Sequence, residues 1–246
     1  MKIPMADLKK FVKKNVPGPI FVVLSGSHAY GFPSKDSDYD LRGSHVAKTR
    51  DVLSLTKPQW AIEVKERSIE LVTQEIEKFL SMLMQPSGYI MEQIFSSHVV
   101  FASKDFKELQ KLARNALCRK LHAHYSGFAL GVYKKAKASG WADVKENLYL
   151  LRVLMTGTHL LEKGEMVINI QDLNRRFGVR EVDELVRIKA EAESAHNKFD
   201  LESSASELFQ KLDEAYKNSK LPDEVSGQEK FNDFLLKVRQ KGLKAR

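Results

Sequence analysis

Residues Ile20-Phe21-Val22-Val23-Leu24 form a short apolar run, preceded by Val16-Pro17-Gly18-Pro19 and followed by Ser25-Gly26-Ser27. A run rich in β-branched and aromatic residues and bounded by chain-breaking residues suits a buried strand. Such a strand commits this part of the chain to a sheet. The segment from Tyr39 to Val46 alternates as a second strand, with Tyr39 and Leu41 on one side and Asp38, Asp40 and Arg42 on the other. Two further strands are expected over 60–64 and 68–72, joined at Lys65-Glu66-Arg67. Thr73-Gln74-Glu75-Ile76 has the spacing of a helix cap, and an amphipathic helix follows it.

Beyond Phe101 the strand signals nearly vanish. Asp105 to Lys137 is a long helical pattern with breaks expected near Gly127 and Gly131. Val144 to Leu161, Val179 to Ala195, Leu201 to Asn218 and Gln228 to Gly242 also read as helices, and Val167 to Ile170 as a short strand. The expectation is an α/β (α+β) chain whose small sheet lies at the N-terminal end, with a mainly helical C-terminal part. The corresponding domains span 1–103 and 104–246.

The chain of 246 residues has 43% hydrophobic and 29% charged residues, which places it among globular proteins and away from disorder. No run approaches the roughly 18 apolar residues of a membrane span. The N-terminal MKIPMADLKKFVKKNV has lysines alternating with Leu8, Phe11 and Val12, and reads as an amphipathic helix of a cytoplasmic protein rather than a signal peptide. A single cysteine, Cys118, excludes an internal disulfide and a cysteine-based zinc site, and its neighbours suggest a buried apolar role. The net charge of +8 favours polyanionic partners without defining one.

Asp38 and Asp40 are two apart on the second strand, so both carboxylates project from one face. Close carboxylates repel unless a cation lies between them, and a hard divalent ion such as magnesium suits oxygen donors. Upstream, Gly26 and Ser27 directly follow the buried strand, where glycine permits close approach and free backbone N–H groups can cradle phosphate. Ten residues separate Ser27 from Asp38. A phosphate at the turn would therefore lie beside a metal at the aspartates.

Gly-Ser, ten residues and then Asp-x-Asp after a hydrophobic strand resembles the signature of the polymerase-β-like nucleotidyltransferase superfamily. The fuller pattern, GSHAYGF followed by SDYDLRG, is most similar to its RNA-repair-pathway family. The resemblance spans most of residues 20 to 165. It implies a nucleotidyltransferase that moves a nucleoside monophosphate from a nucleoside triphosphate to a hydroxyl, releasing pyrophosphate. It also implies two magnesium ions, with manganese as the alternative, held by Asp38, Asp40 and a third carboxylate on a later strand. Glu70 in SIELVT is the first choice because its strand runs into a helix carrying Lys78; Glu63 in AIEV is the second. Gly26, Ser27, Tyr30, Ser37 and Arg42 are the nucleotide-binding positions that the resemblance suggests. Arg42 would either pair with triphosphate oxygens or buffer the acids, and His28 and Tyr30 would either line the pocket or brace the loop.

The same resemblance puts Glu92 near the site; a capping or surface acid is the equal alternative. His122 and His124 are expected to diverge on their helix by about 200° and not to share a metal. Lys145, Tyr149 and Arg152 roughly share a face and read as the polar edge of a helix, with contact to base or triphosphate as the other reading. An RNA or tRNA end is the favoured acceptor, and no membrane role is expected. The alternatives are a protein-modifying, toxin- or antitoxin-like transferase and a non-catalytic nucleotide or RNA sensor on the same fold.

Overall fold

The computed structural model describes residues 3–191, 196, 197 and 199–244. The chain starts with α1 (Met5–Asn15), β1 (Pro19–Ser25), α2 (Gly26–Tyr30), β2 (Tyr39–His45), α3 (Thr49–Leu53), β3 (Ala61–Glu66) and β4 (Ile69–Glu75). It continues through α4 (Ile76–Leu83), α5 (Gly88–Ile94), β5 (Val99–Ala102) and α6 (Phe106–Ala113). Then come α7 (Leu121–Ala138), α8 (Val144–Lys163), α9 (Ile170–Phe177), α10 (Glu181–Glu191), α11 (Glu202–Asn218) and α12 (Gln228–Lys244).

The five strands form one mixed sheet in the order β3-β4-β2-β1-β5. β2 and β4 are parallel, and every other pairing is antiparallel. Parallel neighbours cannot be joined by a tight hairpin. Here the chain leaves β2 through α3, runs along the edge as β3 and returns as β4 past Arg67, whose φ of 53° makes the turn. The alternation of β1 and β2 divides the two sheet faces. Leu8, Val12 and Val16 from α1 and the residue after it pack on Val22, Leu24, Leu41 and Leu71. Phe21 and Val23 face the opposite way, where the Phe21 ring stacks on Phe106 at 4.7 Å and meets Phe79 edge-on at 5.3 Å. That second core continues into the helical part without interruption, through α8, which is buried on nearly every side.

Three local expectations are corrected. α7 runs straight through Gly127 and Gly131, which face open space; an isolated glycine weakens a helix by about 1 kcal/mol but does not end it. The break falls earlier, where Leu117 turns extended (ψ 111°) and buried Cys118 links the two helices. Val167 to Ile170 is not a strand: Asn169 caps α9, its side chain accepting from the N–H groups of Gln171 (3.0 Å) and Asp172 (3.3 Å). The cap of α4 is Glu75, which accepts from the Glu77 N–H at 2.8 Å, while Thr73 lies buried in β4 with its hydroxyl 3.0 Å from His45 Nδ1. The helix expected over Val179 to Ala195 is α10, and 192–195 lie outside the described residues, as do Ala245 and Arg246.

α12 packs back onto the sheet half. Arg239 reaches Glu75 with two hydrogen bonds, Nη1 to Oε1 at 2.7 Å and Nη2 to Oε2 at 2.8 Å. The Thr49 hydroxyl donates to the Arg239 carbonyl at 2.7 Å, and the end of β4 is thereby tied to the far end of the chain.

Candidate active site

β1 ends at Ser25, and Gly26 opens α2 with φ +63°. Ser25 pairs with Asp40 across the β1–β2 ladder. A Cβ on Gly26 would lie 2.0 Å from Asp40 Oδ2, so only a bare backbone admits that carboxylate. Both the positive φ and the close approach therefore require glycine. The parallel register places Glu70 directly opposite Asp40 and Val72 opposite Arg42. Residues in register on neighbouring strands point to the same face, so the two carboxylates stand side by side. Arg42 Nη2 joins them, at 2.6 Å from Glu70 Oε1 and 3.2 Å from Asp40 Oδ1.

Burial pushes the Asp40 carboxyl above the usual carboxylate range; Arg42 pulls it down, while Glu70 and Asp38 push it up again. Burial works against the Arg42 charge, but Tyr89, Asp40 and Glu70 outweigh it and hold the guanidinium charged. The cluster is thus a cation shared by two half-covered acids.

These groups form one end of a cavity of about 380 Å³. Ser25, Gly26 and Tyr30 contribute from the β1–α2 turn, Asp40 and Arg42 from β2, and Tyr89 and Glu92 from α5. His124, Tyr125 and Phe128 enter from α7, and Tyr149, Arg152 and Val153 from α8. At its inner wall Arg152 Nη1 donates to Glu92 Oε1 at 3.0 Å, with both side chains almost fully buried. The Arg152 guanidinium lies 3.7 Å from the Tyr30 ring centroid, a cation–π contact in a dry setting. Burial opposes its charge, yet Glu92 and Tyr30 raise its pKa above the ordinary arginine value. Burial also raises the Tyr30 hydroxyl and lowers His124, so the tyrosine stays protonated and the imidazole neutral near pH 7.

Gly26, Tyr30, Asp40 and Arg42 thus line one cavity, and Glu70 adjoins it through Arg42. Asp38 is exposed just before β2, close enough to Asp40 to influence its charge. Ser27 is buried within α2, and its carbonyl accepts from Gly31 and Phe32. Ser37 braces the loop, its hydroxyl 2.9 Å from Ser34 Oγ and its carbonyl 3.3 Å from His28 Nε2, while the His28 ring stacks on Tyr39 at 4.5 Å. Neither Ser27 nor Ser37 lines the cavity. Glu63 lies on edge strand β3 opposite Val72, exposed and away from Asp40, and Lys78 is exposed on α4.

Glu92 is a cavity residue, and Arg152 is buried rather than part of a polar helix edge. The two histidines do diverge: His122 pairs with Asp213 at 2.8 Å, and His124 faces the cavity. Ser25, Tyr89, Tyr125 and Phe128 had no sequence signal of their own. Adjacency to Gly26 could have flagged Ser25; the aromatic residues come together only through tertiary packing.

Among the described residues no three His, Cys, Asp or Glu side chains converge as a metal cage. Magnesium rarely uses such a cage and is commonly held by one or two carboxylates plus substrate phosphates. Asp40 and Glu70, with Asp38 nearby and the bare backbone of Gly26 against Asp40, fit that requirement.

A mixed five-stranded sheet bearing an Asp-x-Asp strand beside a glycine turn, followed by helices that wall the cavity, has the make-up of a polymerase-β-like nucleotidyltransferase. The chain belongs to the RNA repair pathway DNA polymerase beta family, matched over residues 2–237. It is similar to the uncharacterised protein MJ0002 of Methanocaldococcus jannaschii, at 32% identity over 216 residues, covering 85% of this chain and 88% of that protein. It is also similar to the uncharacterised protein YcgL of Bacillus subtilis, at 28% identity over 152 residues, covering 61% of this chain and 58% of that protein. No helix among the described residues is long and apolar enough to cross a membrane.

Proposed function

We propose that this protein is a magnesium-dependent nucleotidyltransferase that moves a nucleoside monophosphate from a nucleoside triphosphate to a hydroxyl, with an RNA or tRNA end as the favoured acceptor. The observation that carries this reading is the pairing of Asp40 with Glu70 beneath the bare backbone of Gly26. In the reaction the acceptor oxygen attacks the α-phosphorus, the bond to the β-phosphate oxygen breaks, and pyrophosphate leaves.

Asp38, Asp40 and Glu70 are the residues that would hold the metal. Magnesium, when bound there, would offset triphosphate charge and lower the pKa of the attacking hydroxyl. Gly26 lets the Asp40 carboxylate lie against the turn at the start of α2, where phosphate oxygens would meet both the acid's metal and the backbone. Arg42, already between the two acids, is placed to exchange a carboxylate oxygen for a phosphate oxygen, since its fork of donors accepts either. The Tyr30–Arg152–Glu92 wall closes the far side and gives the nucleotide a fixed, largely dry surface. The net charge of +8 favours a nucleic acid as the acceptor.

The test is incubation with each labelled triphosphate and magnesium, with and without total RNA, followed by separation of RNA from protein. Label should enter RNA with release of pyrophosphate, and the Asp38→Ala/Asp40→Ala double variant should lose this by about 10³-fold or more while remaining folded. Label on the protein would redirect the acceptor, and undiminished incorporation by the variant would remove the site.

A further inference from the structure

The inner wall of the cavity carries a carboxylate that the chemistry at Asp40 does not use. Glu92 is 7% exposed, and among the described residues its side chain accepts one hydrogen bond, from Arg152. Arg152 cannot swing away easily, being 3% exposed and stacked on Tyr30. Its Nε, also buried, has no hydrogen-bond partner. The pair therefore leaves acceptor capacity on Glu92 and an unmet donor on Arg152, both fixed before any ligand arrives. At the rim two large aromatic side chains remain unusually open, Tyr89 at 42% and Phe128 at 47% exposed. An aromatic ligand would cover them, and base–aromatic stacking is favourable and indifferent to base identity. Selection must then come from the polar wall.

We propose that this cavity selects a guanine base, with the Glu92 carboxylate accepting from its N1–H and 2-amino groups. The proposal rests on the nucleotidyltransferase reading and adds the substrate's base to it. An ionised carboxylate offers acceptors only. Guanine alone among the common bases places two N–H donors side by side on one edge. Adenine and cytosine each set one amino group beside a ring nitrogen whose lone pair would face the second carboxylate oxygen. Uracil sets its N–H between two carbonyls, and both would be repelled. A site built on paired hydrogen bonds rejects analogues that leave it unpaired.

The test compares binding of GTP, ITP, ATP, CTP and UTP to the full chain by calorimetry in magnesium. GTP should bind tightest, and ITP, which lacks only the 2-amino group, about tenfold or more weaker. Glu92→Gln replaces one acceptor by a donor; the preference for GTP over ITP should collapse and ATP should gain, because a carboxamide pairs with adenine's donor–acceptor edge. The wild-type GTP and ITP comparison stands even where that variant melts early. The same preference seen on a guanosine-ended oligoribonucleotide, and not on free GTP, would support the guanine site and put the base on the acceptor. Equal binding of all five triphosphates together with no preference for a guanosine-ended over an inosine-ended oligoribonucleotide, or a folded Glu92→Gln protein that still favours GTP over ITP, overturns the guanine assignment. Transfer that proceeds without base preference would do so while leaving the nucleotidyltransferase reading intact. Absence of any triphosphate binding would defeat both.

Discussion

Strand β4 carries two glutamates, each held by an arginine, and the two pairs differ in how fully they are satisfied. At its end Glu75 is fully buried and accepts four hydrogen bonds, two from Arg239 and one each from the N–H groups of Ala47 and Glu77. Five residues earlier Glu70 keeps 38% of its side chain exposed and accepts from Arg42, which also holds Asp40. A carboxylate whose lone pairs are all occupied has nothing left to offer a ligand; its loss would leave the buried Arg239 guanidinium with only the part-exposed Glu77 carboxylate, at 3.5 Å. A carboxylate with one shared cation can trade that cation for another. Hydrogen-bond saturation, more than charge or burial alone, separates the structural acid from the proposed metal ligand.

The sharpest way to break the comparison is Glu75→Ala. Removing one partner of a buried pair costs about 3–5 kcal/mol, or roughly 6–20 °C of melting temperature in a chain of this size. Calorimetric melting should show that loss with nucleotide transfer by the remaining folded fraction unchanged. Glu70→Ala should do the opposite, lowering transfer by about 10²-fold while shifting the melting temperature by only a few degrees. If both variants lose stability equally, the distinction between the two glutamates fails.

Smaller in size is a pH effect centred on Asp40. Its carboxyl is held above the ordinary range chiefly by burial, so in the metal-free protein NMR titration should place its protonation at a midpoint higher than a free carboxylate's. Arg42→Gln removes the cation that pulls Asp40 down, and the midpoint should move to still higher pH. For folding the sign reverses. A raised carboxyl contributes stability that is present below its unfolded-state pKa and lost as pH rises through the folded-state value. Smallest of all is Glu63→Gln, on the exposed edge strand, which should leave transfer and melting essentially unchanged.

The acid-bearing strands were legible because alternation and local spacing carry them. Ile20 to Leu24 is a continuous apolar run, and Asp40 and Arg42 alternate with Tyr39 and Leu41, which the fold buries against α1. Glu63 and Glu70 both sit in apolar-acid-apolar runs, and only the helix that follows its strand favoured Glu70 in the sequence. The parallel pairing of β2 with β4 is what puts Glu70, and not Glu63, opposite Asp40. Local signals also misled where two meanings share one pattern: Asn169 reads as part of an alternating strand until its side chain is seen capping α9. The aromatic rim had no local signal. Tyr89 and Phe128 are 39 residues apart on different helices, and nothing in either segment marks them as neighbours.

The Arg239–Glu75 bond also has a temporal side. Its partners are 164 residues apart, so during synthesis β4 is completed long before its counter-cation exists. Until α12 is made, the Glu75 carboxylate keeps its two local N–H donors but has no arginine, and that corner of the sheet cannot be sealed. A chain interrupted between residues 93 and 238 would contain every acid of the candidate site and still lack the clasp that closes its scaffold.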